Sequence, residues 1–366
     1  MREKSAVLFI SVRADFGGGP EHLRLLLQHR PPHVRACVAC PRDYPYYDRY
    51  CALVGSDNVF VLPYRTFSFR KLWQLRSFCA GRGIAAIHSH GKGGGLYARL
   101  LSCLTGLPCF HTFHGVHMDE YGPLTKRLYR LYERCMAVVT RAGIATSSGE
   151  RRCILERGLM PGNKLLLIPN GVPMPQHPAA APQGPPHHVL SMTRFDYQKN
   201  SLFLLDVLER LAALDKLHLF RFTLIGEGAG RGPMTYRIQE KGLADIVTFT
   251  GARPDPHALF PGALCYFSSS RWEGMPLAVL EAMAYGLPPV VSDVVGNHDA
   301  VIHNETGLLY PAGNAAAAAT ALCNLADTPD MRNSLGRKAR EFVARNHDVQ
   351  HMALQTWRVL LAVEAK

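Results

Sequence analysis

Short apolar runs recur along this chain, each followed by a polar or glycine-rich turn and then a stretch with helical spacing. Ala6–Val12, Val34–Cys40, Ile84–His88, Pro108–Phe113, Gly143–Thr146 and Lys164–Ile168 read as strands of the first half. His188–Met192, Phe220–Ile225, Ile246–Phe249, Ala263–Phe267 and Pro289–Ser292 repeat the pattern in the second. These runs are mostly continuous rather than alternating, which is how strands covered on both faces look. Helical segments stand between them, including His22–Gln28, a helix ending at Leu104, and Pro123–Ala142. Strand–helix alternation of this kind predicts parallel α/β sheets. Ala315–Ala326, Asp330–Arg345 and Val349–Val363 predict closing helices, the alanine run reflecting helix propensity alone.

Pro173–His187 holds six prolines and no periodicity, so it reads as a linker. The expected organisation is a domain over 1–172, a Pro-rich linker over 173–187, a second domain over 188–345, and a C-terminal helix within 346–366. A length of 366 residues fits two domains of ordinary size.

Residues 268–292 carry the richest chemistry. Pro276–Tyr285 reads as a short, nearly all-apolar helix, with Pro276 suited to its start and Gly286 to the left-handed position past its end. It carries one carboxylate, Glu281, and a second, Glu273, stands in the preceding loop. A helix N-terminus beyond a strand end offers an anion site. Read alone, a structural Arg or Lys partner for Glu281 and a solvated Glu273 explain the pair as well.

The run Glu-Gly-x-Pro-x-x-x-x-Glu-Ala-Met-Ala-x-Gly-x-Pro-x-Val resembles the E-x7-E signature of retaining GT-B glycosyltransferases of family 4. The resemblance implies an α/β fold of two Rossmann-like domains facing each other across a cleft. It implies that Glu281 holds the ribose of a nucleotide sugar. It assigns Glu273, and the N–H groups of Gly274, Met275 and Leu277, to the sugar and diphosphate. Arg194 and Lys199, five residues apart after a strand, are similar to the pair that neutralises the leaving diphosphate, and Gly226-Glu227-Gly228 is similar to a turn near the base. Gly18 and Gly19 match a glycine loop facing donor and acceptor. Read alone, ordinary turn chemistry explains those glycines equally well. Thr112-Phe113-His114-Gly115 is similar to the corner that lines the donor-sugar pocket, which promotes His114. At 296–299, Asn297 replaces a usual glycine and Asp299 a glutamate.

Other readings add limits. The net charge of +12 favours a polyanionic neighbour, but no nucleic-acid-binding signature appears, so nucleic acid is not an expected partner. Pro123–Ala142 interleaves Lys126, Arg127, Arg130, Arg134 and Arg141 with Leu and Tyr. This is either a surface helix packed on its own domain or a contact with an anionic membrane. No apolar run is long enough to span a bilayer and no signal peptide is recognisable, so the expected place is the cytoplasm, peripherally on the plasma membrane's inner face if that helix binds lipid. Ten scattered cysteines read as reduced core thiols, Cys37 and Cys40 included. Gly91–Gly95 with Lys92 reads as a second glycine-rich turn. His90, His111, His114 and His117 match no zinc spacing, so no metal site and no cofactor are expected.

The expected activity is transfer of a sugar from a nucleotide-diphosphate donor, a UDP-sugar first, to an acceptor hydroxyl with retained configuration and no metal. A lipid-linked oligosaccharide of bacterial surface-polysaccharide assembly is the expected acceptor. Alternatives are a transferase with a soluble acceptor, a UDP-sugar epimerase, and a non-catalytic nucleotide-sugar sensor.

Overall fold

The computed structural model describes residues 6–116, 118, 121–182 and 184–362. His117 and Val363 lie outside them. The chain forms two compact units: one runs to Asn170 and includes the residues from Val349, the other is Gly171–Asp348.

In the first unit the strands are β1 (Ala6–Ile10), β2 (Arg35–Cys40), β3 (Val59–Val61), β4 (Ile84–His90), β5 (Cys109–Thr112), β6 (Thr140–Ala145) and β7 (Leu165–Leu167). They form one parallel sheet in the order β3-β2-β1-β4-β5-β6-β7. The helices are α1 (Gly18–Gln28), α2 (Tyr46–Val54), α3 (Phe69–Arg82), α4 (Gly91–Thr105), α5 (Pro123–Val139) and α6 (Ser148–Glu156). Successive side chains of a strand point to opposite faces. Accordingly Val7 and Phe9 join a core with Leu23, Leu26 and Tyr50, while Leu8 and Ile10 join one with Leu75, Tyr97 and Leu101. Strand order reverses between β1 and β4, and the loops at the carboxyl ends there are where such sheets bind ligands.

The second unit contains β8 (His187–Met192), β9 (Phe220–Ile225), β10 (Val247–Gly251), β11 (Ala263–Ser268), β12 (Pro289–Asp293) and β13 (Leu308–Pro311). Its helices are α7 (Phe203–Ala213), α8 (Arg231–Glu240), α9 (Leu277–Ala284), α10 (Asn297–Ala300), α11 (Ala315–Asp327) and α12 (Pro329–Asn346). The parallel order is β10-β9-β8-β11-β12-β13, with its reversal between β8 and β11. Helix α13 (Val349–Leu361) belongs to the first unit. It buries Val349, Met352, Ala353, Trp357 and Leu360 in the core around Phe9, and the Trp357 indole donates to the Leu26 carbonyl at 3.0 Å.

Four expectations need correction. Gly91–Gly95 is the first turn of α4, not a loop. A β-carbon on Gly94 would lie 2.5 Å from the Ile10 carbonyl oxygen, and one on Gly95 2.8 Å from the His111 ring, so these glycines let α4 approach the sheet. Lys92 extends no anion nest: its Nζ donates to the Tyr121 hydroxyl at 2.8 Å and stands over the rings of Tyr121 and Tyr129. The helix from Pro123 stops at Val139, and Thr140–Ala142 opens β6. Finally, the Pro-rich segment is a strap on the second unit. Ala179 N–H donates to Tyr285 O at 2.7 Å, Gly262 N–H to Ala180 O at 2.9 Å, and Arg340 to Pro175 O at 2.6 Å.

Candidate active site

Both switch points carry the residues singled out above. In the second unit, β8 leads into Thr193-Arg194-Phe195-Asp196. Asp196 fastens this turn twice, accepting from Arg194 Nε at 2.8 Å and from the Lys199 N–H at 3.0 Å. Gln198 accepts from Arg194 Nη2 at 3.0 Å and donates to the Trp272 carbonyl at 3.1 Å, tying the turn to the loop after β11. The neighbouring glycines make this packing possible. A β-carbon on Gly226 would sit 1.9 Å from the Thr193 oxygen, and one on Gly228 2.7 Å from the Phe195 backbone. Thus Gly226 and Gly228 shape the Arg194 turn.

After β11 the chain passes Ser268–Met275 and enters α9, whose leading N–H groups, those of Leu277 and Ala278, precede the first intrahelical hydrogen bond, the one accepted by Pro276 O. Lys199 Nζ donates to Glu273 Oε1 at 2.6 Å, and the Ser270 hydroxyl donates to the same oxygen at 2.6 Å. Glu273 is only 8% exposed, so the reading of a solvated loop residue fails. Its loop is held from behind. Glu273 N–H donates to Val295 O at 3.0 Å, Ser292 Oγ to Ser270 O at 2.6 Å, and buried Asn297 donates from Nδ2 to Ser292 O at 2.9 Å. The Asn297 departure from the family pattern therefore supports the loop rather than breaking it. Gly274, Met275 and Leu277 continue the loop into α9. Glu281 lies on α9 itself. Its Oε2 is 3.3 Å from Nε2 of His257, which stacks on Tyr285 with ring centroids 5.3 Å apart. This partner is a histidine. No sequence pattern marked His257, which sits among Pro254, Asp255 and Pro256.

In the first unit, Gly17–Gly19 open α1 beyond β1, and a β-carbon on Gly19 would touch His114 at 4.0 Å. Gly19 thus stands at the histidine corner, with Gly18 beside it as the first residue of α1. His114 has φ of 60°, a left-handed conformation that a non-glycine residue adopts only under local constraint. Buried Glu150 supplies it. One carboxylate oxygen accepts from the Gly115 N–H, and the other accepts from the Thr146 N–H at 2.7 Å and hydroxyl at 2.9 Å.

Around this corner stands a histidine cluster wider than the sequence suggested. His90 Nδ1 and His114 Nε2 are 2.9 Å apart, and His22 from α1 packs edge-on to His114. His22 escaped notice because it lies far away in sequence. His111 turns to Ser89 instead, with Nδ1 2.9 Å from the hydroxyl. Burial lowers the pKa of His22 to about 4 and of His88 to about 3, and drives those of His90, His111 and His114 well down, so the rings are neutral at pH 7.

By itself the second unit's switch point can bind a diphosphate by two cations and a helix N-terminus, with a carboxylate available for hydroxyl groups. Residues 176–342 match the family described as Glycosyl transferases group 1, and residues 17–171 match the Glycosyl transferase 4-like domain. The chain belongs to the group 1 glycosyltransferases. It is 24% identical over 277 residues to the Escherichia coli UDP-Gal:alpha-D-GlcNAc-diphosphoundecaprenol alpha-1,3-galactosyltransferase, covering 72% of this chain and 71% of that relative. It is 24% identical over 254 residues to the E. coli O-antigen biosynthesis glycosyltransferase WbnH, covering 69% and 71%. Among solved structures, Anabaena Alr3699/HepE in complex with UDP and glucose matches with a TM-score of 0.83 at 16% identity, covering 98% of this chain and 100% of that one. At that identity the likeness is one of fold, and the glycosyltransferase accordingly has two Rossmann-like units of GT-B type.

Proposed function

We propose that this glycosyltransferase moves a hexosyl group from a UDP-sugar to a lipid-linked acceptor hydroxyl with retention of anomeric configuration. The observation that carries the reading is the second switch point, where Arg194, Lys199 and the start of α9 converge on the loop of Glu273. A leaving diphosphate needs such preset positive charge, and this electrostatic term dominates comparable transfers. In this reading Arg194 grips the diphosphate by its fork and Lys199 by its mobile ammonium. The N–H groups of Gly274, Met275 and Leu277 add to that grip, Glu281 holds the ribose, and Glu273 with His114 orients the sugar. Gly18 and Gly19 leave room for substrate near His114. The cations replace a metal ion, so transfer requires none. The acceptor hydroxyl loses its proton to the departing phosphate as the new bond forms.

Helix α5 favours a lipid acceptor. Leu124, Leu128, Leu131 and Val138 are 70, 57, 59 and 76% exposed, and share the outward face with Arg127, Arg130 and Arg134. The inward side is closed by Glu133, paired with Arg99 at 3.0 Å. An outward face both apolar and cationic suits an anionic bilayer. The acceptor in the name of the E. coli galactosyltransferase, a lipid diphosphate carrying GlcNAc, has the same character.

The test is incubation with UDP-galactose or UDP-glucose and lipid-diphosphate-linked sugars in anionic vesicles, with the product anomer read by NMR. An α-linked product from an α-linked donor, lost in Arg194→Ala, supports the proposal. Equal transfer to water-soluble acceptors with no vesicle binding at low salt would favour the soluble-acceptor reading.

A further inference from the structure

The histidine cluster of the first unit has the geometry of a metal centre. Among the described residues, His22, His90 and His114 offer ring nitrogens all within 4.8 Å of one another. Their ring centroids are 5.5 Å (His22–His90), 4.8 Å (His22–His114) and 5.2 Å (His90–His114) apart. Three imidazoles bound tetrahedrally at about 2.0–2.1 Å have centroids roughly 5.2 Å apart, so the rings already stand at that spacing.

The tautomer of His22 fits as well. His22 Nδ1 lies 2.8 Å from Asn170 Oδ1, and an amide oxygen only accepts, so His22 donates there and its Nε2 keeps a free lone pair. That Nε2 is buried and has no hydrogen-bond partner. A partner fixing the distal nitrogen is the usual support of a metal-bound histidine. His90 Nδ1 and His114 Nε2 share one proton at 2.9 Å; once that proton moves to the far nitrogen of its own ring, the pair needs to separate only to about 3.3 Å, the edge of a tetrahedral site. The left-handed backbone of His114, clamped by Glu150, aims its ring at this point.

We propose that His22, His90 and His114 bind one divalent cation of the zinc class, with Asn170 orienting His22 and water completing the shell. Three neutral imidazoles without thiolate or carboxylate suit Zn²⁺, Co²⁺ or Ni²⁺ rather than Mg²⁺ or Ca²⁺. The ion has no part in transfer. Because it takes His114, it inhibits transfer; this consequence alone rests on the function proposed above.

Binding is measured without turnover, on the whole chain stripped by chelator. Calorimetric titration with Zn²⁺ is expected to give one site per chain, and Co²⁺ the visible absorption of a tetrahedral nitrogen–oxygen shell. His22→Gln is expected to abolish both, with an unchanged melting profile showing that the fold survives. Asn170→Ala is expected to weaken affinity about 10–100-fold. No stoichiometric ion in the wild type overturns the proposal. So does binding that persists in both His22→Gln and His90→Gln, or thiolate charge-transfer bands that assign the ion to cysteines.

Discussion

Nζ of Lys199 lies 2.6 Å from Oε1 of Glu273, an ion pair that spans the switch point of the second sheet. The lysine comes from the turn after β8 and the glutamate from the loop before α9, so one contact fixes two loops around the candidate diphosphate site. Removing the lysine leaves a carboxylate that is 8% exposed with Ser270 as its remaining side-chain donor. Lys199→Ala is expected to lower stability by roughly 1–3 kcal/mol. Turnover is expected to fall by about 10²–10³, because the same cation is assigned to the leaving group. Paired denaturation and steady-state assays check this, and near-normal turnover would contradict it.

Gly296 has φ of 88°, and a β-carbon there would stand 2.7 Å from both Glu273 Cβ and the Gly274 oxygen. Gly313 has φ of 80° but nothing within 4 Å of that position. Gly313→Ala therefore carries only the left-handed backbone cost, about 1–2 kcal/mol. Gly296→Ala adds a clash that displaces the Glu273 loop. Melting and nucleotide affinity should separate the two: both variants lose stability, but only Gly296→Ala loses affinity. Equal nucleotide binding by both would show that Gly296 does not shape the site.

The buried imidazoles give the first unit a pH-dependent stability. Burial lowers the His22 pKa to about 4 and the His88 pKa to about 3, against an ordinary 6.5. Between those values the unfolded chain binds more protons than the folded one, so stability is full above pH 6.5 and falls as the pH drops toward 4. In chelator, the urea midpoint should decline from about pH 7 to about pH 5, less steeply in His22→Gln. A flat midpoint would contradict the buried neutral state.

Much of this was legible in the sequence. Parallel strands buried on both faces appear as unbroken apolar runs, so nearly all strands at the two switch points were readable, and residues 268–292 carried the E-x7-E spacing intact. What escaped had physical reasons. Gly93–Gly95 look like a turn, yet they are small to let α4 approach Ile10 and His111. Residues 41–83, which hold α2, β3 and α3, lack clear periodicity because β3 is a three-residue edge strand and α3 is polar on most sides. His22 and His257 meet their partners through tertiary packing, which no local pattern records. For α5 the sequence left an inward apolar face and a membrane-facing one both open, and the structure exposes Leu124, Leu128 and Leu131.

Trp357 tests the return of the chain's end to the first unit. Its indole is 1% exposed, packs edge-on to Phe9 and donates to Leu26. Trp357→Ala is expected to cost about 3–5 kcal/mol. Hydrogen exchange should place the loss in β1 and α1, leaving the second unit's strands protected. Uniform loss across both units, or none, would contradict that packing.

The central claim is that the second unit holds a nucleoside diphosphate through Arg194, Lys199 and Glu281 without a metal. Thermal stabilisation of the purified protein by UDP, GDP and ADP, with and without chelator and beside Glu281→Ala, tests it most directly. The account predicts a shift with UDP that survives chelator and disappears in Glu281→Ala. No shift with any nucleotide, or a shift abolished by chelator, would contradict it.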